Sequence, residues 1–337
     1  ARHGGRLWRS RHVQDAALGQ GVRRLGVVGT MVWDRIYGRG VAPEPVEEWG
    51  GIAYALAAFE AALQEDWVVV PLIKVGRDMA GEATAFLRSL SRVPPGARFV
   101  EVSEPNNRVV LHYSSLQRRT ECLYGGTPGW RWPELGPMVR DLDALYVNFI
   151  SGFELDLQTA LALRRGFAGP IYADFHSLLL DLAADGLRRP KDLPDAPAWF
   201  SCFDAVQLNE DEMTRLGADP MAVAASAFDA GVRLLVVTLG ARGAAYFAAP
   251  GFTFAPAAEP RATGPIRTAR SPAPEVDAGG DATGCGDVFG ATLVARLLEG
   301  GDLEAALADA NRLAARNVSA RGATHLHYHL RGAIAPR

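Results

Sequence analysis

Short apolar runs alternate with longer segments of helical periodicity from residue 25 onward. Apolar runs without polar alternation are typical of strands buried on both faces of a parallel sheet. The predicted strands are 25–29, 67–73, 144–150, 170–174, 205–208 and 234–238. The main predicted helices are 51–63, 78–90, 284–298 and 303–318. This order predicts an α/β fold whose doubly wound, mainly parallel sheet is covered by helices on both faces, as three α/β/α layers.

Two segments, of about residues 35–48 and 98–125, break this rhythm. They alternate polar and apolar residues, as in Arg98-Phe-Val-Glu-Val and Arg108-Val-Val-Leu-His-Tyr, with no helix between them. Strands that are solvated on one face pair antiparallel. The pattern therefore predicts a small inserted β-sheet, placed like a lid on a single domain of residues 23–330. Residues 1–22 and 331–337 are expected to be tails.

The composition is that of a soluble globular protein. Hydrophobic residues make up 48% of the 337 positions and charged residues 22%, which excludes a disordered or collagen-like chain. No run reaches the length of about 18 apolar residues that a spanning helix needs, so we expect no membrane partner. A net charge of −3 gives no reason to expect a nucleic-acid partner. Lys74 and Lys191 are the only lysines, which leaves few candidates for a lysine-centred phosphate site.

The cysteines and the N-terminal segment indicate the cellular compartment of the protein. Cys122, Cys202 and Cys285 are few and far apart, as expected in a reducing environment. The arginine-rich segment 1–22 lacks the apolar core of a signal peptide, and we interpret it as a solvated tail rather than an anionic docking arm. These features together predict a cytoplasmic protein.

The most informative stretch is Gly279-Gly-Asp-Ala-Thr-Gly-Cys-Gly-Asp-Val-Phe-Gly290, directly before a long predicted helix. Gly284 and Gly286 carry no Cβ, so the backbone can approach an anion closely. The amides of residues 284–286 lie where a helix start leaves donors unpaired and adds positive potential. Such a turn could hold a transferring phosphate without a lysine. Asp287 would then orient a substrate hydroxyl and accept its proton late.

Two other interpretations of this stretch stay open at the sequence level. The spacing Gly284-x-Gly286-x-x-x-Gly290 is similar to a dinucleotide fingerprint, although no apolar strand precedes it directly. Alternatively, Thr283 or Asp281 could simply cap the helix.

The segment Asp281-Ala-Thr-Gly-Cys-Gly-Asp287 resembles the C-terminal signature Asp-Thr-x-Gly-Ala-Gly-Asp of the PfkB (ribokinase-like) family of carbohydrate and nucleoside kinases. Ala282 and Cys285 are mild departures that keep both acids and both glycines. The resemblance extends from about residue 25 to 323 and implies a ribokinase-like fold that uses ATP. It also implies that Asp287 is the catalytic base and that Gly284, Cys285 and Gly286 form the anion hole.

The resemblance also implies a donor site. Asn209-Glu-Asp-Glu212 forms a capping-box pattern at a helix start, and the family uses the same Asn-x-x-Glu to hold Mg²⁺ and its waters. The residues assigned to the nucleotide are Asn209, Glu212, Thr238, Gly240, Gly243, Asp281 and Thr283. The alternative for 238–244 is a plain turn between strands. The helix around 311–323 resembles the family's adenine-side helix, with a loop for a monovalent cation such as K⁺.

On the acceptor side, the resemblance implies a pocket for sugar hydroxyls. The residues assigned to substrate are Asp34, Gly50, Gly51, Tyr54, Asn107 and Asn148. A charged acceptor such as Asp34 suits vicinal hydroxyls. Tyr54 departs from the family, whose members commonly have an asparagine near this position. Arg108, Arg118 and Arg119 are lid candidates, and an inward arginine would suggest an acidic or phosphorylated sugar.

Two histidine segments fit no assigned role. His176 stands where the family often has asparagine, either as a polar residue at the pocket rim or without a catalytic role. His325, His327 and His329 share one face if their segment is extended, which leaves metal binding open beside a plain surface role.

The function expected from all of this is transfer of the γ-phosphate of ATP to a hydroxymethyl group of a sugar or sugar acid, with Mg²⁺. The alternatives are a nucleoside kinase of the same fold and a non-catalytic sugar-binding protein on this scaffold, with a Rossmann oxidoreductase more distant. A homodimer formed through the lid is a further expectation.

Overall fold

The structure is a computed structural model that describes residues 21–37, 45–113, 119–256, 264–276 and 280–335. The strands, in chain order, are β1 (Arg23–Val28), β2 (Met31–Tyr37), β3 (Val46–Gly51), β4 (Trp67–Leu72), β5 (Lys74–Gly76), β6 (Val100–Val102), β7 (Arg108–Tyr113), β8 (Arg119–Tyr124), β9 (Ala144–Asn148), β10 (Ile171–Asp174), β11 (Leu180–Leu182), β12 (Arg188–Pro190), β13 (Ala205–Asn209), β14 (Leu234–Thr238), β15 (Ala244–Ala248) and β16 (Arg267–Ser271).

The helices are α1 (Ile52–Ala62), α2 (Ala80–Arg88), α3 (Trp132–Val139), α4 (Leu157–Gly166), α5 (Ala196–Phe200), α6 (Glu210–Leu216), α7 (Pro220–Asp229), α8 (Cys285–Leu298), α9 (Leu303–Asn317) and α10 (Leu326–Arg331). The main elements predicted from the apolar pattern are present, with ends shifted by one or two residues.

Eight strands form the main sheet, in the order β16-β15-β14-β13-β10-β9-β1-β4. The six strands from β4 to β14 run parallel, and β15 and β16 add an antiparallel edge. Apolar side chains from α1, α2, α8, α9 and α10 pack on one face, and those from α3 to α7 pack on the other. Both faces are therefore buried, which confirms the three-layer α/β/α fold.

A separate four-stranded sheet, in the order β3-β2-β7-β8, forms the predicted lid. Two details of the prediction are wrong. The central strands β2 and β7 pair in parallel, because the chain returns through β4 to β6 before entering β7. The alternating run at 98–102 contributes β6, which pairs with β5 outside the lid. The lid segments 38–44 and 114–118, which include Arg118, lie outside the described residues.

The C-terminal histidines correct another expectation. Residues 326–331 form the short helix α10 rather than an extended segment, because Leu326 and Leu330, four residues apart, both fall in the core. His327 is buried, whereas His329 is exposed and contacts the Ser319 hydroxyl. The three rings therefore do not share a face. No group of metal-ligating side chains occurs among the described residues.

The predicted tails are only partly within the described residues. Residues 1–20 lie outside them, as do residues 336–337. Arg331 is tied down, since its guanidinium donates to the Glu60 carboxylate at 3.0 Å. None of the described helices is long and apolar enough to cross a membrane.

Candidate active site

The parallel strands end in polar residues at one edge of the sheet. Asn148, Asp174, Asn209 and Thr238 are the last residues of the neighbouring strands β9, β10, β13 and β14. Ligands of open α/β sheets bind outside the carboxyl ends of the strands. The start of α8 lies against this edge, since Asp287 contacts Asn148 and the Gly286 carbonyl contacts Gln207.

The turn before α8 is not a side-chain cap. Gly284 has φ +77° and no side chain caps the first turn of the helix. Asp281 is engaged elsewhere, because its Oδ1 accepts bonds from the Thr283 amide at 2.9 Å and the Thr283 hydroxyl at 2.7 Å. The capped-turn interpretation of Asp281 and Thr283 is therefore wrong, and these two residues shape the turn instead.

Of the three backbone amides that were predicted to bind an anion, those of residues 284–286, the structure leaves two available. The Cys285 amide donates to the Ala282 carbonyl at 3.2 Å, within the turn itself. Among the described residues, no acceptor receives a hydrogen bond from the backbone amide of Gly284 or of Gly286. Both glycines are partly exposed rather than covered by other chain. Two amides and the helix dipole thus remain for an anion.

Asp287 lies in the first turn of α8, where the sequence placed it. The Asn148 side-chain amide donates to its Oδ1 at 2.6 Å. Asn148 was expected to contact substrate, but its described bonds go to Asp287 and to the Tyr146 hydroxyl at 3.2 Å. It is fully buried. These bonds hold the carboxylate of Asp287, and contact of Asn148 with substrate stays a prediction.

Tyr54 joins the turn to the acceptor side. A Cβ on Gly284 would lie 2.3 Å from the Tyr54 ring, so the ring covers this glycine directly. Burial raises the pKa of Tyr54 well above its ordinary value, and the nearby charges of Asp34, Asp281 and Asp287 raise it further. The Tyr54 hydroxyl has no hydrogen-bond partner among the described residues. Three predicted carboxylates thus surround one hydroxyl.

Asp34 and the paired glycines form the wall of the same region. A Cβ on Gly50 would lie 1.8 Å from Asp34 Oδ2, so the carboxylate rests on bare backbone. Gly51 has φ +59°, and its Cβ would lie 2.6 Å from the Thr30 carbonyl oxygen. A side chain at Gly51 would be strained and would meet backbone, and one at Gly50 would displace the Asp34 carboxylate, which explains the pair at the start of α1.

Asn107 makes hydrogen bonds that the sequence did not predict. It is buried at the base of the lid, where its side-chain Nδ2 donates to the Ser151 hydroxyl at 3.2 Å. Its Oδ1 accepts from the Thr127 backbone amide at 3.2 Å. These bonds join the lid to the body, and contact of Asn107 with substrate stays a prediction. Arg108 is exposed and pairs with Asp78, so it does not face the pocket.

The lid contributes a residue that the sequence did not reveal. The Tyr113 hydroxyl lies 2.7 Å from the Thr283 hydroxyl, which links β7 to the turn before α8. The two residues are 170 positions apart, and no local pattern marks such a pair. The lid therefore contacts the turn that carries the candidate anion site.

The Asn209–Glu212 capping box is present at the start of α6. Glu212 Oε2 accepts from the Asn209 backbone amide at 2.7 Å, and the Glu212 amide donates to Asn209 Oδ1 at 2.9 Å. His176 Nδ1 lies 3.4 Å from Glu212 Oε1. Burial alone would lower the pKa of His176, but Glu212, Asp174 and Asp287 together raise it to about 9. His176 thus places a cation among three acids.

The donor loop follows β14 as predicted. Thr238 pairs in register with Asn209 on the neighbouring strand, so the two predicted donor segments are adjacent. Gly240 has φ +59° and Gly243 has φ +89°. A Cβ on Gly243 would lie 2.1 Å from the Ser271 carbonyl oxygen, whereas nothing lies within 4 Å of one on Gly240. Gly240 is therefore the open side of this loop.

Gln207 was also missed, and it explains Gly290. Gln207 Nε2 donates to the Gly286 carbonyl at 3.1 Å and to Asp174 Oδ2 at 2.7 Å. A Cβ on Gly290 would lie 2.7 Å from Gln207 Oε1 and 3.0 Å from the Tyr146 hydroxyl. The third glycine of the apparent dinucleotide fingerprint therefore lets side chains of the sheet reach α8. This packing explains Gly290 without a dinucleotide.

Comparison with known proteins agrees with this geometry. Residues 181–328 match the model of the pfkB family of carbohydrate kinases, and they include Asn209, Glu212 and the complete turn before α8. No curated protein matches the chain.

Three solved structures illustrate the fold. The Arabidopsis thaliana ribokinase complexed with ribose and ATP is 20% identical, with a TM-score of 0.65 over 92% of this chain and 97% of that one. The Burkholderia thailandensis nucleoside kinase in complex with inosine is 16% identical, with a TM-score of 0.65 over 90% and 93%. A pyrophosphate-dependent kinase in the ribokinase family, complexed with a pyrophosphate analog and myo-inositol, is 15% identical, with a TM-score of 0.67 over 92% and 100%. The fold is thus ribokinase-like.

Proposed function

We propose that the chain is a kinase of the pfkB (ribokinase-like) family, and that it transfers the γ-phosphate of ATP to a hydroxymethyl group of an uncharged sugar or polyol. The observation that carries this proposal is the uncapped start of α8. There, two amides that have no acceptor within the described part of the chain adjoin the carboxylate of Asp287. A cytoplasmic location fits the three free cysteines.

The acceptor site lies between the lid and the turn before α8. Asp34 accepts hydrogen bonds from substrate hydroxyls, and Tyr54 offers its hydroxyl beside Asp287. The carboxylates of Asp34, Asp281 and Asp287 around Tyr54 would repel an anion. An uncharged sugar or polyol is therefore a better substrate than a sugar acid.

The donor phosphates lie between the amides of Gly284 and Gly286 and the Asn209–Glu212 pair. Glu212 is buried at 8% exposure, and its oxygens hold Asn209 and face His176, so this acid suits a hydrated cation better than direct coordination. Asn209 and Glu212 would hold Mg²⁺ through water, and the ion would supply charge neutralisation on the phosphates. Thr238 and Gly240 border the nucleotide on the open side of their loop.

The chemical step needs positioning more than a strong base. The acceptor oxygen forms a bond to the γ-phosphorus as the bond from that phosphorus to the bridging oxygen of ADP breaks. The hydroxyl proton passes to Asp287, and the amides of Gly284 and Gly286 stabilise the charge on the transferring group. The lid, joined to Thr283 through Tyr113, excludes water and limits hydrolysis of ATP.

The test is ADP release from Mg-ATP with D-ribose, inosine and myo-inositol as acceptors. We expect turnover with D-ribose, an uncharged sugar that carries a hydroxymethyl group, rather than with myo-inositol, which carries none, and a loss of about 10³-fold or more in kcat for Asp287→Asn. Asp219→Asn is the matched control, since Asp219 only caps α7 and asparagine caps as well. Full activity of Asp287→Asn would contradict the proposal. Binding of these compounds without ADP release would favour the non-catalytic alternative.

A further inference from the structure

Asn148 has a buried side-chain amide whose nitrogen is hydrogen-bonded but whose oxygen, within the described residues, is not. The side chain is fully buried, and its Oδ1 has no hydrogen-bond partner among the residues that the structure describes. Its Nδ2 donates to Asp287 Oδ1 at 2.6 Å and to the Tyr146 hydroxyl at 3.2 Å. A carboxylate only accepts, so the opposite orientation of the amide would set oxygen against oxygen.

An orphaned buried oxygen lowers stability, and an apolar side chain of similar size would avoid that cost. The donor side of Asn148 is therefore the reason for an amide at this position. Its partner is the carboxylate of Asp287, at the end of the strand nearest the turn. A bond to an ionised acceptor is among the stronger hydrogen bonds, so it fixes the orientation of that carboxylate.

Gln207 holds the same helix turn one residue earlier. It is buried, its Nε2 donates to the Gly286 carbonyl and to Asp174, and its Oε1 accepts from the Tyr172 hydroxyl at 2.7 Å. Three bonds fix the amide completely. Gly290, one turn further along α8, leaves the space in which Gln207 lies. Two amides on neighbouring regions of the sheet thus hold consecutive residues of α8.

We propose that Asn148 and Gln207, which we call the amide clamp, are positioning residues for the phosphoryl transfer. Asn148 sets the carboxylate of Asp287 toward the acceptor hydroxyl, and Gln207 sets the peptide of Gly286 that borders the transferring phosphate. This inference rests on the proposed function. The clamp orients groups that act in the chemical step, so its loss should lower kcat more than it raises KM.

The test separates kcat from KM. Asn148→Leu and Gln207→Met remove the amides at similar volume, and we expect kcat to fall by about tenfold or more while KM for Mg-ATP and for the acceptor changes less than about threefold. The acceptor is whichever of D-ribose, inosine and myo-inositol is turned over. Combining Asn148→Leu with Asp287→Asn should cause no further loss, because the amide acts through that acid.

Tyr172→Phe, which frees Gln207, should lower kcat, whereas Tyr246→Phe removes the hydroxyl of another buried tyrosine, which bonds to Glu304, and should not. A crystal structure of Asn148→Leu gives a readout without activity, and we expect the Asp287 carboxylate to change rotamer. An unmoved carboxylate, or an unchanged kcat in Asn148→Leu while Asp287→Asn is inactive, would overturn the clamp alone. Full activity of Asp287→Asn would overturn the proposed function.

Discussion

At the scale of single residues, Gly50 shows how closely the backbone and a carboxylate are fitted. Its missing Cβ would overlap Asp34 Oδ2, which lies 1.8 Å from that position. Asp34 is buried at 4% exposure, so it cannot retreat into solvent. The pocket wall therefore depends on the absence of one methyl group.

Gly50→Ala should displace Asp34, lower the melting temperature and raise the KM for the acceptor by about tenfold, because Asp34 loses its place at the substrate hydroxyls. Gly81→Ala is the matched control. Gly81 lies in α2 with nothing within 4 Å of the added carbon, so stability should rise by about 0.5–1 kcal/mol. Thermal unfolding and acceptor titration check both variants, and an unchanged KM in Gly50→Ala would contradict the role of Asp34.

His176 predicts a pH dependence of stability. Its folded-state pKa of about 9 exceeds the ordinary value of 6.5, because the charges of Glu212, Asp174 and Asp287 outweigh burial. The raised pKa therefore contributes stability that is fully present below pH 6.5 and is lost as the pH rises through 9.

His176→Gln should remove this dependence. In Mg²⁺-free buffer, the difference in unfolding free energy between the native chain and this variant should be larger at pH 6 than at pH 10. Denaturant unfolding at the two pH values measures it. His329→Gln is the control, since His329 is exposed and distant from these acids in the chain. A constant difference across this range would contradict the charge cluster.

At the scale of elements, a hydroxyl pair links the lid to the turn before α8. Tyr113→Phe removes the bond from β7 to Thr283 while keeping the ring. We expect a higher acceptor KM and more ADP formed without acceptor, because a looser lid admits water. Tyr124→Phe, on the exposed side of the same sheet, should change neither quantity. Coupled assays with and without acceptor measure both.

The elements themselves were largely predictable, because their signals are local. Apolar runs predicted the parallel strands, and the glycine spacing placed Asp287 at the start of α8. The prediction of an extended segment at 325–329 was wrong, because two leucines with helical spacing determine the structure more strongly than the alternating histidines do. Asn148 and Asp287 lie 139 positions apart, so their bond leaves no trace in either local pattern. Gln207 and Tyr113 escaped prediction for the same reason.

At the scale of the whole molecule, the sheet divides the interior into two cores. Leu293 on α8 and Leu163 on α4 are both fully buried, but on opposite faces. Leucine-to-alanine changes at such sites cost about 2–5 kcal/mol. Both variants should therefore lose similar stability.

Their activities should differ. Leu293→Ala opens a cavity beneath the helix that carries Asp287, so its kcat should be reduced even at temperatures well below its melting temperature. Leu163→Ala should keep a nearly native kcat at such temperatures. Leu182→Ala, at 43% exposure, is the control and should stay within about 0.5 kcal/mol of the native stability. Equal loss of kcat in both core variants would contradict the prediction that only the core on the α8 face of the sheet supports the position of Asp287.

The bonds that complete the site join distant parts of the chain. Thr283 meets Tyr113 across 170 positions, Asp287 meets Asn148 across 139, and the Thr283 carbonyl accepts from Asn317 at 2.8 Å. During synthesis, the strands and the lid leave the ribosome well before α8 and α9 do. A nascent polypeptide therefore remains catalytically inert until these two helices emerge and dock, and fragments that end before them gain no partial activity.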